Sequence, residues 1–299
     1  MKPFLLARLR LRMTLNRLWP PTPAGSLFAL GFVLAGALFV AGDYLFFRRI
    51  FENLLATEDI PKVLLTAVAA KLMGLVLLTT LTLLAFSAAV TALSYLYLDE
   101  DLSLLIPLPV GSGRLLAQRC AEAGANASYT VALLLAPVIA AYWSLGSRSA
   151  FALATGLIGL LLYLAIPLSA GIGITVVLAR FFPARRLHQV LTVLSVVMLC
   201  MLVVLFRMAR PEALLNPESS NQVLEVLRSI RMPSEALLPS TWLAQAVVRG
   251  SEGSWTEAAS GLGRLAAAAG GSVALLVLLL RLWYWQGYGR AQEQQNMAP

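Results

Sequence analysis

Histidine occurs once in this 299-residue chain, at His188, and cysteine only twice, at Cys120 and Cys200. A zinc protease or hydrolase needs three or four clustered ligands, so that chemistry is excluded and no metal is expected. One thiol falls beside a charged loop and the other inside an apolar run, so no disulfide is expected. Charge is scarce too. Asp, Glu, Lys and Arg make up 13% of the chain, where a soluble domain carries about a quarter. A nucleophile–base constellation is also missing, which places a membrane-embedded enzyme last among the readings. Gly111-Ser112-Gly113 lacks the Gly-Lys-Ser/Thr ending of a phosphate-binding loop and reads as a linker.

What is present is apolar. Hydrophobic residues make up 59% of the chain, and mean hydropathy is +0.78. A soluble core of this length cannot bury that much surface. The chain therefore reads as an all-α integral membrane protein, because an isolated segment in lipid must pair its own backbone groups. Runs of roughly 20 apolar residues mark the crossings. Six are expected, over about 26–47, 72–98, 123–146, 150–179, 187–206 and 265–285, within a single transmembrane domain covering 1–299. The sixth is short and needs Arg281 and the belt residues Trp283, Tyr284 and Trp285 to complete it.

Basic residues set the orientation. With the N-terminus inside, the inner segments carry a net charge of +7 and the outer ones +1, and Arg8/Arg10/Arg12/Arg17 and Arg180/Arg185/Arg186 fall inside. Both termini are thus expected in the cytoplasm. The net +8 of the chain serves topology, and no nucleic-acid partner is implied. The apolar run after Ser26 exceeds a signal-peptide core and continues through Leu38, Phe39 and Val40 beyond the small triplet Ala35-Gly36-Ala37, so an uncleaved anchor is expected.

Before the first span, Lys2 to Trp19 interleaves apolar residues with arginines, as an interfacial helix does, although a basic tail that only sets topology would look similar. The outer segment 207–264 is the largest insertion. Ser240 to Val248 reads there as a short amphipathic helix, with Ser240 or Thr241 as N-cap and Trp242, Leu243, Ala246 and Val247 on its apolar side. It either dips toward the membrane or stays an ordinary loop.

Gly31/Ala35, Gly156/Gly159 and Gly171/Gly173 suit close helix packing, and Pro137 and Pro167 suggest kinks. Asp43 and Lys71 are placed near outer ends. No carboxylate or basic residue stands clearly at a midplane, which argues against a proton-coupled secondary transporter. Asn126-Ala127-Ser128 lies in the third span and carries no glycosylation meaning, and His188 reads as an interface anchor.

The functional signal lies in the loop 99–113. Asp99, Glu100 and Asp101 stand where the second span ends, and Asp101 suits the N-cap of a short helix. Leu102, Leu104 and Leu105 give that helix apolar anchors, and Pro107 and Pro109 stop it. The product is a short apolar knob suited to a groove on a soluble partner.

This acid–acid–Leu–x–Leu–Leu–x–x–Pro pattern resembles the cytoplasmic coupling helix of bacterial ABC-type exporter permeases. The N-terminal interfacial segment is similar to the connecting helix of the type V exporters. The outer insertion, with Pro239-Ser240-Thr241-Trp242-Leu243-Ala244, is similar to their re-entrant helices. The resemblance implies a permease subunit of the bacterial inner membrane with no cofactor of its own, working with a separate ABC ATPase subunit, a second permease half (a homo- or heterodimer) and membrane lipid. Asp99, Glu100, Asp101, Leu102, Leu104, Leu105 and Pro107 would then couple ATPase dimerisation to rocking of the helices. Some related permeases are twice this length, and the segment 286–293 would be either a tail or the start of a linker. A transporter or scaffold without an ATPase is the alternative. The substrate is not specified.

Overall fold

In the computed structural model the described residues are 23–56, 62–99, 112–146, 149–181, scattered positions within 189–200, and 238–296. The expected interfacial segment 2–19, most of the fifth span and 207–237 lie outside them.

Six α-helices account for nearly all of the described chain, and no strand occurs among these residues. They are α1 (Pro23–Leu55), α2 (Lys62–Leu93), α3 (Ser112–Leu145), α4 (Ala150–Phe181), α5 (Pro239–Ser251) and α6 (Trp255–Asn296). A π-helical turn, Ser94–Leu98, continues α2. Five of these helices, α5 excepted, are long and apolar enough to cross a membrane. Their outward surfaces agree, since Phe32, Leu38 and Leu161 are each at least 70% exposed. Large apolar side chains left this open in water would each forgo about 1.5–3 kcal/mol of burial, whereas lipid accepts them. The chain is an all-α membrane protein.

The helices overrun the apolar segments that announce them. Helix α2 starts at Lys62, which places Lys71 well inside it, and α6 starts at Trp255 rather than near Leu265. Helix propensity continues through polar interfacial residues that a hydropathy reading leaves out. Pro137 and Pro167 both sit inside continuous helices. In a bundle the backbone groups a proline frees find other partners.

Helix α4 is central, packed against α2 and α6, while α1 lies mainly on α3. Tyr163 Oη donates to the Leu77 carbonyl, and Thr175 Oγ1 donates to the Ala89 carbonyl at 2.8 Å, tying α4 to α2 twice. Close approach depends on glycine at Gly171, where an added Cβ would strike the Ala85 carbonyl oxygen and come within 2.8 Å of Ala88 Cβ. A Cβ on Gly156 would stand 2.8 Å from Ile139 Cγ2 and one on Gly159 2.6 Å from Leu243 Cδ1, both side-chain tips, whereas Gly31 faces nothing.

Helix α5 is the short element inside the bundle, wedged among α2, α4 and α6. Between Ser240 and Ser251 only Gln245 and Arg249 are exposed, so it is covered on nearly every side. Its last turn meets the end of α3, where a Cβ on Gly146 would stand 2.9 Å from Ser251 Cβ. A turn with Gly253 at φ 83° then reverses the chain into α6, and Phe151 meets Trp255 edge-on at 4.2 Å. Positive φ is the backbone state that glycine supplies without steric cost. The expected cap at Ser240 or Thr241 is not formed. Leu238 is the N-cap, without a side-chain cap bond, because Pro239 occupies the first helical position, where its fixed φ and missing N–H fit.

Candidate functional site

Two helix ends frame the loop 99–113, and a side-chain cluster joins them. The cluster starts with the π-helical turn. Leu96 and Tyr97 within it are buried against α6, and the Tyr97 and Tyr284 rings stack at 5.6 Å between centroids. A π-turn admits one extra residue per turn, so it re-aims the chain beyond it and is frequent at functional sites. The next residue is Asp99, in extended conformation at the start of the loop.

Asp99 meets Arg119 from α3, two turns into the next helix. Arg119 Nη1 stands 2.6 Å from Asp99 Oδ2 and 3.4 Å from Glu122 Oε2. Gln118 Nε2 donates to Glu122 Oε1 at 3.0 Å, which orients that carboxylate. The Arg119 side chain is only 2% exposed, while Asp99 and Glu122 keep 28% and 22%. A guanidinium buried this deeply is tolerated only with charge partners, because its desolvation costs several kcal/mol. Its second terminal nitrogen, Nη2, has no hydrogen-bond partner. The ion pair thus joins the residue that opens the loop to the helix that closes it.

Two further contacts sit at this end. Arg180, in the last turn of α4, lies 4.8 Å from the Trp283 ring centroid, a cation–π distance. Cys120, next to Arg119, packs against the Leu96–Tyr97 cluster.

Of the seven residues assigned to coupling, the structure places Asp99. Glu100, Asp101, Leu102, Leu104, Leu105 and Pro107 lie outside the described residues. The sequence reading gave no role at this site to Tyr97, Arg119 or Glu122, and placed Tyr284 only in the aromatic belt of the sixth span. The Arg119/Glu122 spacing of three, facing a helix-ending acid, was the available signal. No group of three metal-ligating side chains occurs among the described residues.

Among the described residues, the other buried side-chain polar atoms without partners are Tyr97 Oη at this site and, elsewhere, Asp43 Oδ2, Thr155 Oγ1 and Ser240 Oγ. Asp43, expected near an outer end of the first span, lies within α1, five residues before the pair Arg48 and Arg49.

The family model described as "Putative ATP-binding cassette" matches residues 24–298. No curated protein and no solved structure matches the chain.

Proposed function

The chain belongs to the family described as "Putative ATP-binding cassette", and from that premise we propose that it is the membrane permease subunit of an ATP-driven exporter. ATP hydrolysis is assigned to a separate ATPase, because no Gly-Lys-Ser/Thr sequence for a phosphate-binding loop occurs in the chain. In this reading the α2–α3 end faces the cytoplasm and the loop 99–113 docks on the ATPase. A second permease half completes the path, and the assembly sits in the bacterial inner membrane.

The observation that carries the reading is the Asp99–Arg119 ion pair. A docking knob transmits force only if its ends are fixed to the helices that must move. The ion pair fixes the first residue of the loop to α3, and the Tyr97–Tyr284 stack fixes the turn before it to α6. A push on the knob is thereby delivered to α2, α3 and α6 together, which suits rigid-body rocking between two packings.

The test is co-purification with the P-loop ATPase of a neighbouring reading frame, with Leu104→Asp and Leu105→Asp as variants. Loss of complex and of coupled ATPase activity is expected. Unchanged assembly and coupling would remove the coupling role.

One observation favours a second reading, a transporter without an ATPase. Asp43 Oδ2, on α1, is buried and lacks a partner, and intramembrane carboxylates commonly mark ion pathways. In the ATPase-coupled reading Asp43→Asn leaves ATP-driven transport intact. In the second reading it abolishes ion-driven transport in vesicles.

A further inference from the structure

Helix α5 runs from the interior of the bundle out toward the end of α3. Its C-terminal end, Ser251, meets Gly146 where α3 finishes, so its N-terminal end is the deep one. The depth follows from its neighbours. A Cβ on Gly74 of α2 would lie 3.9 Å from both Thr241 Cγ2 and Ala244 Cβ, and the helical rise from Lys62 to Gly74 is about 18 Å. On α4, Gly159 lies against Leu243, about 14 Å along the helix from Ala150. The N-terminus of α5 therefore lies inside the bundle, carrying the positive end of the helix dipole into its apolar interior.

The donors there are unevenly served. Pro239 has no N–H. The Leu238 carbonyl accepts from the Thr241 amide at 3.1 Å, the Trp242 amide at 3.3 Å and the Thr241 hydroxyl at 2.7 Å. Ser240 is left over. It is fully buried, and its hydroxyl has no hydrogen-bond partner. In a helix each Cα–Cβ bond tilts toward the N-terminus, so this hydroxyl points to the same deep end as the first-turn amides. A buried orphan hydroxyl carries a desolvation cost that evolution removes easily with alanine. An acceptor that arrives at this point and leaves again gives the serine a reason to be there.

We propose that the buried N-terminus of α5, headed by Ser240, binds the acidic headgroup of an anionic amphiphile. The sign follows from the helix end, which attracts negative charge. Half-helix N-termini near the bilayer midplane serve anionic groups of transported solutes in the same way. The amphiphilic character follows from the walls, since Leu77, Leu243 and Leu265 belong to one apolar core around this helix. A carboxylate and a phosphate share the required chemistry. The inference rests on the exporter reading for its role in transport, while binding itself does not require the ATPase.

The test uses the full chain in detergent without the ATPase, and reads thermal unfolding against four twelve-carbon probes. Dodecanoate and dodecyl phosphate are expected to raise the midpoint, and dodecanol and dodecyltrimethylammonium are not. Protection by one anion alone supports the site and assigns its headgroup. Ser240→Ala is expected to weaken apparent affinity roughly tenfold, the loss of one charge-assisted hydrogen bond, and Ser240→Cys to fall between. Equal protection by all four probes, or an unchanged affinity in Ser240→Ala, overturns the proposal. A second measurement needs no variant at the site. 2-Bromododecanoate carries its quencher beside the headgroup and is expected to quench the fluorescence that Trp242→Phe removes. Absence of that quenching also overturns it. Failure of ATPase assembly would leave this binding standing, and failure of anion-selective binding would leave the coupling reading standing.

Discussion

The Tyr284 hydroxyl donates to the Leu96 carbonyl at 3.2 Å, joining the last helix to the π-helical turn that precedes the loop. The bond is made to backbone, so it registers α6 against that turn whatever side chains the turn presents. Tyr284→Phe keeps the stack on Tyr97 and loses only the bond. Hydrogen bonds inside membrane proteins average about 0.6 kcal/mol, so a small loss of stability of that order is expected in a thermal unfolding assay. If the registration matters to coupling, transport per ATP falls by more than the stability loss explains.

Arg119 is the residue whose removal should cost most at this site. Arg119→Met removes the guanidinium that Asp99 and Glu122 share. Breaking a buried pair costs about 3–5 kcal/mol, and the partial exposure of both carboxylates places the loss at the lower end. Asp99→Asn in the Arg119→Met background should cost far less than in the wild type. A double-mutant cycle by denaturant unfolding measures the difference, and additive effects would dissolve the pair.

Glycine substitutions should separate backbone contacts from side-chain contacts. At Gly171 an added methyl meets the Ala85 carbonyl oxygen and Ala88 Cβ, which cannot yield without moving α2. At Gly159 the methyl meets Leu243 Cδ1 at 2.6 Å, the tip of a flexible side chain. Gly171→Ala should therefore destabilise by about 1–3 kcal/mol and Gly159→Ala by clearly less. Equal midpoints in thermal unfolding would contradict this ranking.

The links between α4 and α2 should prove individually weak. Thr175→Val removes the donor to Ala89 while keeping the volume, and Tyr163→Phe removes the donor to Leu77. The carbonyls concerned lie inside a continuous helix and keep their helical partners. Each change is expected to cost about 0.6 kcal/mol. A loss of several kcal/mol in either would mean the hydroxyl does more than bridge two helices.

The membrane character and most helices were legible in the sequence because lipid imposes one simple demand, a long uncharged run, which Leu72 to Leu98 and Ser149 to Ala179 meet plainly. Helix ends were less legible, since Lys62 and Trp255 begin helices in polar surroundings where hydropathy is silent. The short amphipathic pattern at Ser240–Val248 announced α5, but its near-complete burial came from neighbours that no local pattern encodes. Small residues at Gly74, Gly159 and Gly261 let those neighbours close in. At the candidate site, Asp99 was visible as a helix-ending acid. Its partner was not, because a pairing across a loop depends on how two helices return to one another.

Helix α6 runs without a break from the turn beside α5 to the stack beneath the loop, about 45 Å between Trp255 and Tyr284 at the helical rise. Over such a span a one-degree tilt displaces the far end by about 0.8 Å, so this helix works as a lever arm. Its most pliable point is near the middle. Gly270 and Gly271 adjoin there with nothing packed against the space a Cβ would fill, and glycine costs about 1 kcal/mol per residue relative to alanine in a helix. Movement at one end then arrives at the other either as a swing of the whole arm or as a flex at this pair.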